Sequence, residues 1–369
     1  MVRRGNHCSR LAPGRVRLGL IIRLSLLALI VVGLSRLVRP GDLQRGLTMV
    51  GDVGWPLLLV LVPTAIAMAL DAYGWREILA ALGHSVRWLR MIELRLSVES
   101  IVLAMPGGSV AGEAAKVALL DRRAGVPLPA GAASLALTKL LLTAGDAGYL
   151  AFAAVAMLLA GVGAGSLTLR LALLGAAFTG VAAFVFARLL RRARLADAVA
   201  GVAARLPIAR LRRWIAARRE RLGALDVATR RYFAQPVAVR ARCFAPFLLE
   251  WFTEGLETFV ILRCLGQSLG FGQTLAFDGV GSLLRAVIVI VPAGLGVQDA
   301  AQIVLLRQLG VADPIGTGAA FVFTKRSKEL FWILVGLVFL AIRRDLWRRS
   351  STATRRYPAD TLSAKGEGR

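Results

Sequence analysis

The chain has 369 residues, of which 57% are hydrophobic, a larger share than the roughly 45–50% of soluble domains. Lys and Arg total 47 against 22 Asp and Glu, so the formal net charge is +25. The arginines lie beside apolar segments of membrane length, where the positive-inside rule accounts for them, so nucleic-acid binding is not predicted. Three cysteines and two histidines give no disulfide framework and no metal-ligand spacing, so we predict no metal and no cofactor.

Six apolar segments are long enough to cross a membrane, because a hydrocarbon core of ~30 Å requires about 20 apolar residues in a helix. They are 18–38, 55–73, 133–160, 167–190, 243–266 and 314–342. The first follows a basic tail and has no clean small-residue cleavage site, so we predict an uncleaved span rather than a signal peptide. Two further apolar stretches, 96–120 and 275–309, are interrupted by Pro and Gly, and neither half is expected to cross by itself.

The orientation follows from the distribution of arginine. The tails 1–17 and 343–369 and the loop 191–242 are basic, which predicts that all three lie in the cytoplasm of a bacterial inner membrane. The connections 161–166 and 267–274 carry no charge, which suits the opposite side. We therefore predict an all-α polytopic membrane protein with six spanning helices and two broken, re-entrant helix pairs.

The two broken stretches share one register, 186 residues apart. "MPGGSVAGEAAKVALL" (105–120) aligns with "VPAGLGVQDAAQIVLL" (291–306). The informative pairs are Pro106 with Pro292, Gly108 with Gly294, Glu113 with Asp299, and Thr138-Lys139 with Thr324-Lys325. These matches favour two membrane repeats, 18–160 and 167–342. Three crossings in each repeat give the two halves opposite orientations in the membrane.

Broken helices at membrane depth are tolerated only where protein buries the backbone or water fills a cavity. Inverted repeats with discontinuous helices build the central site of many secondary transporters. We therefore predict a cavity shaped by Pro106, Gly107, Gly108, Pro292, Gly294 and Gly296. In the alternative that the sequence leaves open, both hairpins only pack the bundle and the glycines permit close helix approach.

Charged residues near these breaks are candidates for binding a lipid headgroup or a proton. Glu113 and Asp299 lie near the starts of half-helices, whose N-termini attract anions. As ionised groups they would repel a phosphate unless a lysine neutralises them, and as protonated groups they would couple transport to a proton. The lysines that could neutralise them are Lys116, Lys139 and Lys325. The sequence leaves both states open.

Further candidates lie on the predicted spans. Lys139 and Asp146 are seven residues apart and share a helix face, while Lys325 and Glu329 are four apart and would pair directly, beside Arg326. An acidic stripe on the span 243–266 must face protein or water. The stripe consists of Glu250, Glu254 and Glu257, with Arg263 and Arg285 as possible counter-charges.

The basic loop has an apolar face formed by Ile208, Leu211, Ile215, Leu222 and Leu225. This pattern is typical of an interfacial helix drawn to anionic headgroups, and the alternative is a solvated loop without a specific ligand. The sequence contains no Ser-His-Asp set, no nucleotide-binding loop and no carboxylate–histidine cluster, so we predict that the protein is not an enzyme.

The motifs "PGGSVAGEAAKVALLDRRAGVP", "VPAGLGVQDAAQIVLLRQLGV" and "FTKRSKELFW" resemble a flippase-like membrane family related to the transmembrane region of lysylphosphatidylglycerol synthases. Within that family, "GGSVAGEAAK" is most similar to hopanoid-biosynthesis-associated membrane proteins. The resemblance implies a protein that moves or presents a lipid. Residues 343–369 are too few for the soluble aminoacyl-transfer domain of the synthases, so aminoacyl transfer is not expected.

The leading functional prediction is a translocator of a phospholipid or hopanoid-type lipid, with membrane lipids as its partners. One alternative is a non-catalytic scaffold that recruits lipid-biosynthesis enzymes through the basic loop. An intramembrane transferase is the third hypothesis, and no nucleophile with a neighbouring base supports it.

Overall fold

The computed structural model describes residues 40–104, 108–192, 201, 219–287 and 297–342. In this part of the chain every regular element is helical, which confirms the all-α class. In chain order the helices are α1 (Pro40–Val53), α2 (Leu61–Ala81, continued from a 3-10 turn at Trp55–Val60), α3 (Trp88–Ala104), α4 (Gly108–Ala124), α5 (Leu128–Leu159), α6 (Leu167–Arg191), α7 (Arg219–Phe233), α8 (Val237–Cys264), α9 (Phe271–Val287), α10 (Val297–Gln308) and α11 (Pro314–Ile342).

Among the described residues, three helical segments are long and apolar enough to cross a membrane: Trp55–Ala81, Leu128–Leu159 and Leu167–Arg191. They correspond to three of the six predicted spans, and the predicted span 18–38 lies outside the described residues. The remaining two predicted spans fall in α8 and α11, which are 28 and 29 residues long. Both helices carry charged side chains, several of which the bundle buries.

Large apolar side chains cover the outside of the bundle. On α6, Leu174, Phe178 and Phe184 are each about two-thirds exposed, and Leu159 at the end of α5 is 85% exposed. Apolar surface on this scale is unfavourable in water and favourable in a bilayer. The outer face of α6 is therefore suited to contact with lipid.

Each broken stretch forms two helices. α3 ends at Ala104 and α4 begins at Gly108, while α9 ends at Val287 and α10 begins at Val297. Helices α3, α4 and α9 have 17 residues and α10 has 12, which at ~1.5 Å per residue is shorter than the ~30 Å hydrocarbon core. The chain between the members of each pair lies outside the described residues.

The packing reflects the internal repeat. The register of 186 residues relates α2 to α8, α3 to α9, α4 to α10 and α5 to α11. Helix α2 packs along its counterpart α8, while α3 packs on α11 and α9 packs on α5. This exchange of partners agrees with the repeat predicted from the sequence.

Close approach of α9 to α5 depends on a residue without a side chain. A Cβ atom added to Gly272 would lie 2.9 Å from the Cβ of Ala156 and from the backbone nitrogen of Met157. Beside this contact, Tyr149, Leu150 and Phe277 are fully buried in the largest apolar core. The core thus lies where the closing helix of the first repeat meets the broken pair of the second.

Candidate functional site

The Glu113 carboxylate lies between two lysines. Helix α4 begins at Gly108, which places Glu113 in its second turn, facing α5. The Nζ atom of Lys139 on α5 is 2.5 Å from one carboxylate oxygen, and the Nζ atom of Lys116 is 3.6 Å from the other. Two of the three lysines proposed from the sequence therefore meet this carboxylate.

Lys116 connects this group to a buried ion pair deeper in the bundle. It interacts electrostatically with Asp71 of α2 and Arg95 of α3. The Nε atom of Arg95 donates a hydrogen bond of 2.5 Å to the Asp71 carboxylate, which is 8% exposed. A buried carboxylate at membrane depth needs such a partner, since unpaired charge is costly there.

Glu250 on α8 extends the polar interior. Its carboxylate interacts electrostatically with Asp71, Arg95, Lys116 and Glu254. One of its oxygen atoms is buried and has no hydrogen-bond partner in the described part of the chain. Buried polar atoms are rarely left unpaired, so this oxygen marks a position where a proton, water or polar ligand is expected.

Asp278 on α9 organises the polar group of the second repeat. Lys325 of α11 places its Nζ atom 3.0 Å from Oδ1, and the Thr258 hydroxyl donates to the same oxygen over 2.6 Å. The Tyr149 hydroxyl donates to Oδ2 over 3.4 Å. Four helices, α5, α8, α9 and α11, therefore converge on one carboxylate, which fixes its position in the bundle.

Asp146 and Glu254 add carboxylates near both groups. Asp146 is 6% exposed and lies within electrostatic range of Glu254 and Asp278. Together the groups form an interior charge network of Asp71, Arg95, Glu113, Lys116, Lys139, Asp146, Glu250, Glu254, Asp278 and Lys325. Its direct ion pairs are Glu113 with Lys116 and Lys139, Asp71 with Arg95, and Asp278 with Lys325, and its other members act on these pairs at longer range.

Glu257 forms a separate buried pair with α11. Lys328 contacts one carboxylate oxygen over 2.6 Å, and the Thr64 hydroxyl donates to the other over 2.7 Å. Glu257 lies 186 residues after Asp71, in the register of the repeat. Each repeat thus buries one carboxylate at an equivalent position and pairs it with a different cation.

Lys328 also lines a cavity of about 340 Å³ between the 3-10 turn before α2 and the middle of α11. Its walls are mostly apolar, and Thr324, Ser327 and Lys328 supply the polar side. A space of this size falls within the range of small-ligand pockets.

Three candidate residues have contacts that the sequence did not predict. Lys325 does not pair with Glu329 as proposed, because Asp278 is almost fully buried and takes the ammonium group, while Glu329 pairs with Arg326 over 2.8 Å. Lys139, which shares a helix face with Asp146, contacts Glu113 of α4.

Arg263 is the third case. It lies over the ring of Phe259 at 5.0 Å and is exposed, so it does not neutralise the acidic stripe as proposed. Lys328 neutralises Glu257 instead. Some candidates lie outside the described residues: Pro106, Gly107, Pro292, Gly294, Gly296 and the side chains of Arg285 and Asp299.

Seven participants were missed: Thr64, Asp71, Arg95, Tyr149, Thr258, Asp278 and Lys328. A signal for two of them was present, because Asp71 shares the repeat register with Glu257, and Asp278 is an acid inside an apolar stretch. Thr258 carries no such signal, since an isolated threonine is ordinary in a membrane helix.

The basic loop contributes helix α7, whose apolar face was predicted to lie on the membrane surface. In the structure Leu225 and Tyr232 of this helix are buried in a core with α2, α5, α6 and α8. Burial raises the pKa of the Tyr232 phenol, so this hydroxyl remains a neutral donor. The prediction is therefore corrected for Leu225, while Ile208, Leu211, Ile215 and the side chain of Leu222 lie outside the described part.

Comparison with known families gives one match. The family model of the lysylphosphatidylglycerol synthase transmembrane region matches residues 18–328. No curated protein and no solved structure is significantly similar to the chain. The match covers most of the described helices, including every residue of the interior charge network. The chain is therefore a multi-pass membrane protein of the lysylphosphatidylglycerol synthase transmembrane-region family, related to the membrane part of lipid-modifying proteins.

Proposed function

We propose that the protein is a lipid translocator, which moves or presents a phospholipid or hopanoid-type lipid across the inner membrane without changing it chemically. The observation that carries the proposal is the interior charge network, in which both halves of the chain contribute ionisable side chains to the interior of the bundle. A headgroup crossing the bilayer requires polar partners at hydrocarbon depth, whereas its acyl chains remain in lipid.

The composition of the network favours a headgroup that carries both signs. Lys139 and Lys325 are each paired with a carboxylate, and Glu250, Glu254 and Asp146 add further acidic groups. A phosphate is attracted to the lysines and an ammonium group to the carboxylates. Buried ionisable groups in membrane helices commonly mark the path of a charged substrate.

The scaffold hypothesis remains the competing proposal. It is favoured by the exposed basic surface formed by Arg191 and Arg192 at the end of α6 and by Arg230 and Arg231 on α7. Such a surface suits an acidic partner, including a lipid-biosynthesis enzyme. The two proposals differ because a scaffold requires these arginines and does not require Glu113.

The test is translocation of labelled lipids in proteoliposomes, with phosphatidylglycerol, phosphatidylethanolamine and a hopanoid as separate probes. We compare the wild-type protein with Glu113→Gln and with Asp121→Asn, an exposed carboxylate on the same helix. If Glu113 neutralises Lys139 along the path, its loss lowers the rate about tenfold, whereas Asp121→Asn leaves it unchanged.

The outcome decides between the proposals. A folded wild-type protein that moves none of these lipids contradicts translocation, and equal rates for both variants remove Glu113 from the path. Loss of partner capture in a variant with the four arginines changed to glutamine, with Glu113→Gln unaffected, supports the scaffold instead.

A further inference from the structure

An apolar groove lies on the side of the bundle, away from the interior charge network. Helices α5, α6, α7 and α8 form it, and its volume is about 530 Å³. Leu141, Ala144, Phe184 and Phe244 are among the residues that line it. No residue of the interior charge network contributes to its lining. The groove is thus a separate site with the volume of a small-molecule pocket.

Arg240 is the one charged residue in the lining. Its Nε atom is buried and has no hydrogen-bond partner among the residues that the structure describes. A guanidinium nitrogen removed from water requires an acceptor, and Arg binds phosphate oxygens through paired, charge-assisted hydrogen bonds. The groove therefore combines an apolar slot with an unsatisfied donor that fits a phosphate.

The lining of the groove carries a positive charge at Arg240. None of the lining residues is acidic. A ligand that fills the groove must be apolar along its length and anionic at the end that meets Arg240.

We propose that this groove is a binding site for an anionic phospholipid, with one acyl chain between α5, α6 and α8 and the phosphate on Arg240. The lipid stays in the leaflet that the basic loop faces and packs against Tyr232 and Phe233, which line the groove from α7. The bound lipid thereby stabilises the packing of α7 against the rest of the bundle. This site does not depend on translocation.

The experiment is native mass spectrometry of the full chain, released from detergent after equilibration with phosphatidylglycerol or phosphatidylcholine. We expect wild-type protein to retain about fivefold more phosphatidylglycerol than phosphatidylcholine. Arg240→Gln removes that preference, and Ala144→Trp, which fills the groove, lowers the binding of both lipids. Arg230→Gln is the matched control, since this exposed arginine does not line the groove and its loss leaves binding at the wild-type level.

Two results overturn the proposal. One is equal retention of the two lipids by the wild-type protein, and the other is undiminished phosphatidylglycerol binding by folded Arg240→Gln. If Arg240→Gln does not fold, Arg240→Lys decides, because it keeps the charge and loses the paired hydrogen bonds, and we then expect about a threefold weaker preference. Since the measurement is of equilibrium binding, it can succeed where translocation fails, and the two proposals are separable.

Discussion

Two ion pairs that involve α11 differ in burial. The difference shows how the burial of a charged side chain decides its contribution to stability. The Glu257 and Lys328 side chains are 3% and 15% exposed, whereas those of Arg326 and Glu329, on the same helix, are 28% and 38% exposed. Removing one partner of a buried pair leaves the other charge without solvation, while a half-exposed pair exchanges its partner for water.

We predict that Glu257→Gln destabilises the protein by about 3–5 kcal/mol, because Lys328 is then left uncompensated in the bundle. Replacing both partners, in Glu257→Gln with Lys328→Met, recovers much of that loss. The control is Glu329→Gln, for which we expect less than about 1 kcal/mol. Thermal unfolding in detergent, followed by tryptophan fluorescence, measures all three. Similar losses for Glu257→Gln and Glu329→Gln contradict the prediction.

At this scale the sequence predicts residue types better than pairings. Glu113, Lys116 and Lys139 were singled out from the broken motif and meet in the structure. The proposed pairing of Lys325 with Glu329 was wrong because the actual partner, Asp278, comes from another helix. The spacing of residues along one helix identifies only their neighbours on that helix. A buried carboxylate on a different helix can compete for the same lysine, because an unpaired buried charge is costly.

Among the elements, the helix α9 approaches α5 closely at one glycine. The close contacts of Gly272 with Ala156 and Met157 leave no room for a methyl group. Interhelical contacts of membrane proteins depend on such small residues, because the hydrophobic effect contributes little to helix association within lipid and close packing must supply the stability. Asp278, which accepts hydrogen bonds from Thr258 and Tyr149, lies on the same helix.

We predict that Gly272→Ala lowers stability by about 1–3 kcal/mol, because the added methyl group overpacks the contact of α9 with α5. Gly51→Ala serves as the matched control: Gly51 lies in α1, and an added Cβ would meet nothing within 4 Å. There alanine raises helix stability by roughly 0.5–1 kcal/mol. Thermal midpoints in detergent test this prediction, and a stabilising effect of Gly272→Ala would show that α9 can move aside.

Helix existence and length could be predicted from the sequence because apolar length is a strong signal. The segments 133–160 and 167–190 correspond to helices Leu128–Leu159 and Leu167–Arg191. The partners of each helix could not be predicted, since contacts such as α3 with α11 join residues far apart in the chain. Apolar periodicity identifies which face of a helix is buried, but it does not identify the helix that packs against that face.

For the whole molecule, the exchange of packing partners between α3–α11 and α9–α5 agrees with two related halves. The two halves have opposite orientations only if the chain crosses the membrane an odd number of times between a helix and its equivalent in the other half. Helix α6, whose 25 residues meet the length and composition of a membrane span, supplies one of those crossings. Its two ends must then lie on opposite sides of the membrane.

We predict that the connection before α6 lies outside the cytoplasm and the basic loop after it lies inside. Two glycines offer matched labelling positions, Gly163 before α6 and Gly201 after it, because an added Cβ meets nothing within 4 Å at either. In a variant whose three native cysteines are replaced by serine, we expect Gly163→Cys to react with a membrane-impermeant maleimide in spheroplasts. Gly201→Cys should react only after lysis. Labelling of both from outside would mean that α6 does not cross, and the reverse pattern would invert every orientation derived from the arginines.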